Sequence, residues 1–191
     1  MTVSIRHIAP VAHLPLVLGV LRKLAVAQLI DTLIPPNPAH VLSSGRGVEA
    51  LVLAILDGHH ALYKVGRRLD ERGMLPLLQP GLERPSVHDT RLGQILEALF
   101  AANLNRVFGA IALTALKTYA IGTPWIHQDT TTIALYGAYD REPDDTTAPR
   151  PSYGHSKDGR GELKQVLLSL GVSGDGGLPL RMGLQDGNTS D

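Results

Sequence analysis

The sequence predicts an α+β chain in which a mostly helical front is followed by three antiparallel strands. Three observations predict it. Apolar residues recur at three- and four-residue steps from Leu14 to Tyr119. After Gly122 the period falls to two, as in strands. The segment Gly174-Asp175-Gly176-Gly177 separates two alternating apolar runs, the pattern of a hairpin turn. The predicted domains are residues 1–121 and 122–191, joined at Gly122-Thr123-Pro124.

A chain of 191 residues can bury roughly 70% of its unfolded surface. With 43% apolar and 19% charged residues it has a globular composition. No apolar run approaches the roughly 18–20 residues that span a bilayer. Leu14 to Leu21 is short, is followed by Arg22 and Lys23, and lacks a signal-peptide cleavage pattern, so it reads as a helix. The absence of cysteine excludes disulfides, thiolate metal sites and cysteine nucleophiles, and the expected compartment is the cytoplasm. Total charge is balanced, but residues 1–120 carry 12 basic and 8 acidic side chains, and residues 121–191 carry 6 and 10. A basic front suits nucleic acid and an acidic rear suits cations.

The first helix is predicted from Leu14 to Ile34, ended by Pro35-Pro36-Asn37-Pro38. Ser43 or Ser44 caps a second, with Val48, Leu51, Val52, Ile55 and Leu56 as its stripe and Gly58 as its stop. The third, Ala61 to Arg72, carries Lys64, Arg67, Arg68 and Arg72 at spacings that put several on one face. That face is either an ordinary solvated surface or a set of phosphate contacts, which would give salt-dependent, sequence-blind affinity. Tyr63 is the sole aromatic nearby, so a stacking platform for single strands is not expected.

A Gly/Pro-rich loop is expected from Gly73 to Pro85. A fourth helix is capped within Ser86 to Thr90, and a fifth runs from Asn103 to Tyr119. His59, His60 and His88 lie near helix ends, where capping or a polar contact suits them better than a metal.

In the second domain, Trp125 to Gly137 reads as a β-branched strand interrupted by Asp129. That carboxylate is either a structural group held by the hydroxyls of Thr130 and Thr131, or a metal ligand displayed from a rigid sheet. A polar loop, Asp140 to Pro151, leads to Leu163–Val172, a strand with Val166, Leu168, Leu170 and Val172 on one face. The third strand alternates through Leu178, Leu180, Met182 and Leu184. His127 shares a face with Asp129, yet no further ligand spacing completes a mononuclear hydrolase site.

Particular residues carry a family resemblance. Asp129-Thr130-Thr131 with Tyr136-Gly137-Ala138-Tyr139, Tyr153 to Asp158 continuing through Leu163-Lys164-Gln165-Val166, and Gly187 to Asp191 together resemble bacterial insertion-sequence transposases of the DDE type. Leu51 to Leu56 and His88 to Gly93 resemble the helical amino-terminal domain that precedes the catalytic core in one branch of that group. The resemblance implies the first three strands of an RNase H-like fold. It also implies catalysis by two Mg²⁺ ions about 3.5–4 Å apart, one activating the nucleophile and one stabilising the leaving oxygen. Asp129 matches the first metal-binding acid. Lys157, Arg160 and Lys164 become candidate phosphate contacts on charge. The implied partners are the terminal inverted repeats of element DNA, further copies of the chain or full-length transposase.

The second and third acids of the family would fall on a later strand and helix. Asp175, Asp186 and Glu162 do not match them. The expectation is therefore a truncated transposase, inactive alone; the alternative is a DNA-binding or regulatory fragment acting at element ends or on the full-length enzyme.

Overall fold

In the computed structural model, residues 10–58, 60–139, 148–154 and 159–189 are described. The order is seven helices and then a three-stranded antiparallel sheet, an α+β architecture as expected. The chain divides between Ile111 and Ala112 into two compact units.

The first unit is built around one helix. Helices α1 (Leu14–Lys23), α2 (Val26–Leu33), α4 (Leu62–Glu71), the single turn α5 (Leu75–Leu78) and α6 (Asp89–Ala101) all pack against α3 (Ser44–Leu56) or its neighbours. The core comprises Leu14 and Leu18, Leu53 and Ala54, Val65 and Leu69, Met74, and Leu92 with Ile95. Side chains removed so completely from water each contribute about 1.5–3 kcal/mol. A second cluster joins Val26 and Ile30 to Val107 of α7 (Leu104–Tyr119).

Two expectations about this unit need correction. The long first helix is two helices, broken at Leu24–Ala25, where Ala25 takes a left-handed conformation at φ 52°. The periodicity carries through the break because α1 and α2 both turn their apolar stripes inward. The stretch from Gly73 to Pro85, expected as loop, holds α5, and a 3₁₀ turn spans Arg84–Ser86. Pro76 sits in the first turn of α5, where its missing N–H costs nothing.

Capping fixes α3 against α2. Ser43 accepts the Arg46 N–H at 3.2 Å and donates to Asp31 Oδ2 at 2.8 Å, while Asp31 Oδ1 accepts the Gly45 N–H at 2.7 Å. The helices approach so closely that a Cβ on Gly45 would lie 2.1 Å from the Ala27 carbonyl oxygen. Only glycine fits there.

In the second unit, β1 (Ile126–Leu135), β2 (Lys164–Ser173) and β3 (Pro179–Asp186) lie in sequence order with β2 central. Asp129 pairs with Leu170, Thr131 with Leu168 and Ile133 with Val166. Leu168 pairs with Leu184 and Leu170 with Met182, so this part of the predicted alternation shares one face of β2 and β3, while a register shift at Gly171/Val172 sets Pro179 opposite Val172 and puts Leu178 and Leu180 out of step. Ser173 closes the hairpin, its Oγ accepting the Leu178 N–H at 2.9 Å, and Gly176 and Gly177 both take positive φ.

No single helix among the described residues is long and apolar enough to cross a membrane.

Candidate functional site

Asp129 stands in the middle of β1 with its side chain exposed. Its Oδ1 accepts the N–H of Thr130 at 2.8 Å, a local bond that fixes one carboxylate oxygen. The strand's period of two puts it on one face with His127, Thr131 and Ile133, beside Leu170 and Leu168 of β2. The carboxylate thus rises from a mixed face, where His127 and Thr131 stand beside apolar residues such as Ile133 and Leu184, which are 40% and 45% exposed.

Among the described residues, Lys164 and Arg160 lie toward one end of the strand and not beside that carboxylate. Lys164 begins β2 opposite Leu135, six positions from Leu170 and so roughly 20 Å along the strand. It donates to the Ala138 carbonyl. Arg160 donates to the Tyr136 hydroxyl at 2.6 Å, just past the same end of β1. Lys157 lies outside the described residues.

At that end the structure unites two segments distant in sequence. Ser152 bridges Gln165, Gln165 Nε2 donates to the Gly187 carbonyl at 2.9 Å, and the Gly187 N–H donates to the Arg150 carbonyl at 3.1 Å. A Cβ on Gly154 would lie 2.2 Å from the Gly187 oxygen, and one on Gly187 only 1.9 Å from the Gln165 oxygen. The glycines of the Tyr153-Gly154 and Gly187-Asn188 motifs are therefore packing positions, demanded by backbone crossing backbone. Asp186 accepts the Arg150 N–H at 2.7 Å, a structural duty.

The basic helix α4 separates into two pairs. Arg68 Nε and Arg72 Nη2 each reach Asp57 at 2.7 Å, and His60 Nε2 stands 3.2 Å away. Asp57, at the end of α3, is 3% exposed. Burial pushes its pKa up, but the hydrogen bonds from Arg72, Arg68 and His60 prevail and hold it below the ordinary aspartate range. In return the Asp57 hydrogen bond raises the pKa of Arg68. These two arginines tie α4 to α3, and their charge is balanced inside the fold. Lys64 and Arg67 remain exposed, Lys64 5.5 Å from the Tyr63 ring and Arg67 3.4 Å from Glu71 one turn on. The clamp was invisible in sequence because Asp57 belongs to the preceding helix. His88, flagged as a helix-end histidine, is the N-cap of α6, its Nδ1 accepting the Arg91 N–H at 3.2 Å. His59 lies outside the described residues.

Among the described residues no group of three His, Asp or Glu side chains is placed to hold a metal. Oxygen donors suit Mg²⁺ in kind, yet Asp129 alone cannot bracket two ions, so no cleavage step follows from these residues.

The model of a family described as a Domain of unknown function (DUF4277) matches residues 5–113, more than half of the chain. The chain belongs to this family. The DUF4277 match ends close to the division at Ile111 and thus takes in α1 to α6 with the first part of α7. The Asp57 clamp is a feature of the DUF4277 portion, whereas Asp129 and the strands lie beyond it. No curated protein and no solved structure matches the chain.

Proposed function

We propose that this chain is the amino-terminal part of a DDE-type transposase, in which a DUF4277 helical domain precedes the opening strands of an RNase H-like core. One observation carries the reading: an exposed aspartate in mid-strand, on the first strand of an antiparallel meander that follows a helical domain. Strand interiors rarely hold a carboxylate without a task, and a rigid strand is a precise mount for a metal ligand. In the complete enzyme Asp129 is the first acid to bind Mg²⁺, and the chemistry those ions supply is cleavage and joining of phosphodiesters at element ends.

The test is direct. Mn²⁺ titrated into the purified chain is expected to broaden the amide resonances of β1 around Asp129, and Asp129→Asn is expected to abolish the broadening. Broadening absent from β1, or unchanged in the variant, would sink the reading.

Exposed Lys64 and Arg67 favour a second reading, a DNA-binding or regulatory fragment. On that reading, affinity for inverted-repeat DNA falls steeply with salt, and losing two phosphate contacts lowers the log–log slope by about 2. A Lys64→Ala/Arg67→Ala variant with an unaltered slope would remove α4 from the interface.

A further inference from the structure

A cleft of about 180 Å³ opens in the helical unit, between the segment leading into α3 and the start of α6. Its polar lining comes from His40, Ser86, His88 and Arg91, and Leu42 contributes beside them. Three features distinguish it from an incidental gap.

First, it holds a buried cation whose side-chain hydrogen bonds among the described residues go to a neutral acceptor. Arg91 is only 8% exposed, and its Nε and Nη2 both donate to one neutral acceptor, the Leu42 carbonyl, at 3.1 and 3.0 Å. No carboxylate lines the cleft. Burial lowers the pKa of Arg91, with the charge of Asp31 acting the other way; both Asp31 oxygens already serve the α3 cap. Asp89, in the first turn of α6, is exposed and accepts the adjacent Thr90 N–H. A guanidinium keeps its charge even so, because its pKa lies far above neutrality.

Second, His40 Nδ1 is buried with no hydrogen-bond partner among the described residues. A buried polar atom left unmatched costs about 1–3 kcal/mol, so such an atom beside a cleft marks a place for a ligand. Third, the tautomer of His88 is fixed. Its Nδ1 accepts the Arg91 N–H, so the neutral ring carries its proton on Nε2 and is a donor there.

We propose that this cleft binds a phosphate group. Arg91 supplies the charge and His40, His88 and Ser86 supply donors or adaptable polar atoms around it, a set that matches the several acceptor oxygens of a phosphate. The site is independent of Asp129 and of the strands.

Inorganic phosphate added to the full chain at constant ionic strength, with chloride as the balancing anion, tests it. The imidazole proton resonances of His40 and His88 are expected to shift saturably. Arg91→Lys, which keeps charge and loses the planar fork, and His40→Ala are each expected to weaken binding about tenfold. Thermal melting verifies that each variant is folded, and His40→Ala decides if Arg91→Lys is not. A duplex that competes with phosphate identifies the source as a nucleic-acid backbone; a duplex that does not compete identifies a free phosphate or phosphoester, and either supports the site. Shifts matched by chloride alone, or binding unchanged in folded His40→Ala, would overturn it.

Discussion

The two units differ in how they treat apolar surface. In the helical unit Leu14, Ile30, Leu53, Leu69, Leu92 and Ile95 are wholly removed from water. In the strand unit Leu167 is the one described strand residue with a large apolar side chain that is buried, while Ile126, Ile133 and Leu184 stay substantially open. Helices can surround a central member and bury its whole circumference, but a three-stranded sheet has two faces and needs layers on both. The helical unit therefore carries its own core, and the strand unit presents Asp129 on a face with little burial.

Paired truncations break or sharpen that contrast most strongly. Leu53→Ala, in the wall where α3 meets its neighbours, is expected to cost about 2–5 kcal/mol. Leu184→Ala, on the open sheet face, is expected to cost about 1 kcal/mol, because half of its surface already meets water. Urea unfolding followed by helical circular dichroism and by strand amide exchange reports the two units separately. Equal losses would show that the sheet face is covered in solution.

The Asp57 clamp gives the next effect. Asp57→Asn removes the charge that two arginines and His60 face, and its cost is expected near 2 kcal/mol, moderated because Arg68 is a third exposed. The folded pKa of Asp57 is depressed, so this stabilisation is complete above the unfolded aspartate value of about 3.9 and is lost as pH falls through the lower folded value. Between pH 7 and pH 5 the gap in urea midpoint between the wild type and Asp57→Asn should stay constant. Toward pH 3 and below it should shrink. A gap that is flat into that acid range would mean the carboxylate is not the source of the clamp's strength.

Smaller, and confined to the strand unit, is Gly187→Ala. Its Cβ would lie 1.9 Å from the Gln165 oxygen and 2.6 Å from that of Ser152, so the Ser152–Gln165 bridge must open. A loss of about 1–3 kcal/mol is expected, read as faster exchange at Gln165 and Val166 with α3 amides unchanged. Slow exchange preserved at Gln165 would refute the packing role assigned to the motif glycines.

The elements legible in the sequence were those whose signals are local. Ser43 before the Val48–Leu56 stripe and the Gly-rich turn before Leu178 place α3 and the β2–β3 hairpin within a residue or two. The break at Leu24–Ala25 was hidden because neither residue is a helix breaker, yet Ala25 takes a left-handed conformation. The roles of Arg68 and Arg72 were hidden for a related reason, since helical spacing relates α4 residues only to one another while Asp57 reaches them across a turn. Asp129 was the reverse case. A carboxylate in a β-branched run is conspicuous in one dimension, and the structure adds that Arg160 and Lys164 lie toward the far end of its strand.

The mildest substitution bears most on function. Asp129 is exposed and its observed Oδ1 bond is to the adjacent backbone N–H, which an asparagine oxygen can also accept. At this exposed position Asp129→Asn is expected to change stability by no more than about 0.5 kcal/mol. If urea midpoints agree while Mn²⁺ broadening at β1 disappears, the carboxylate serves a ligand and not the sheet. A stability loss comparable to that of Gly187→Ala would instead make Asp129 part of the sheet's own scaffold, and the ligand role proposed for it would fail.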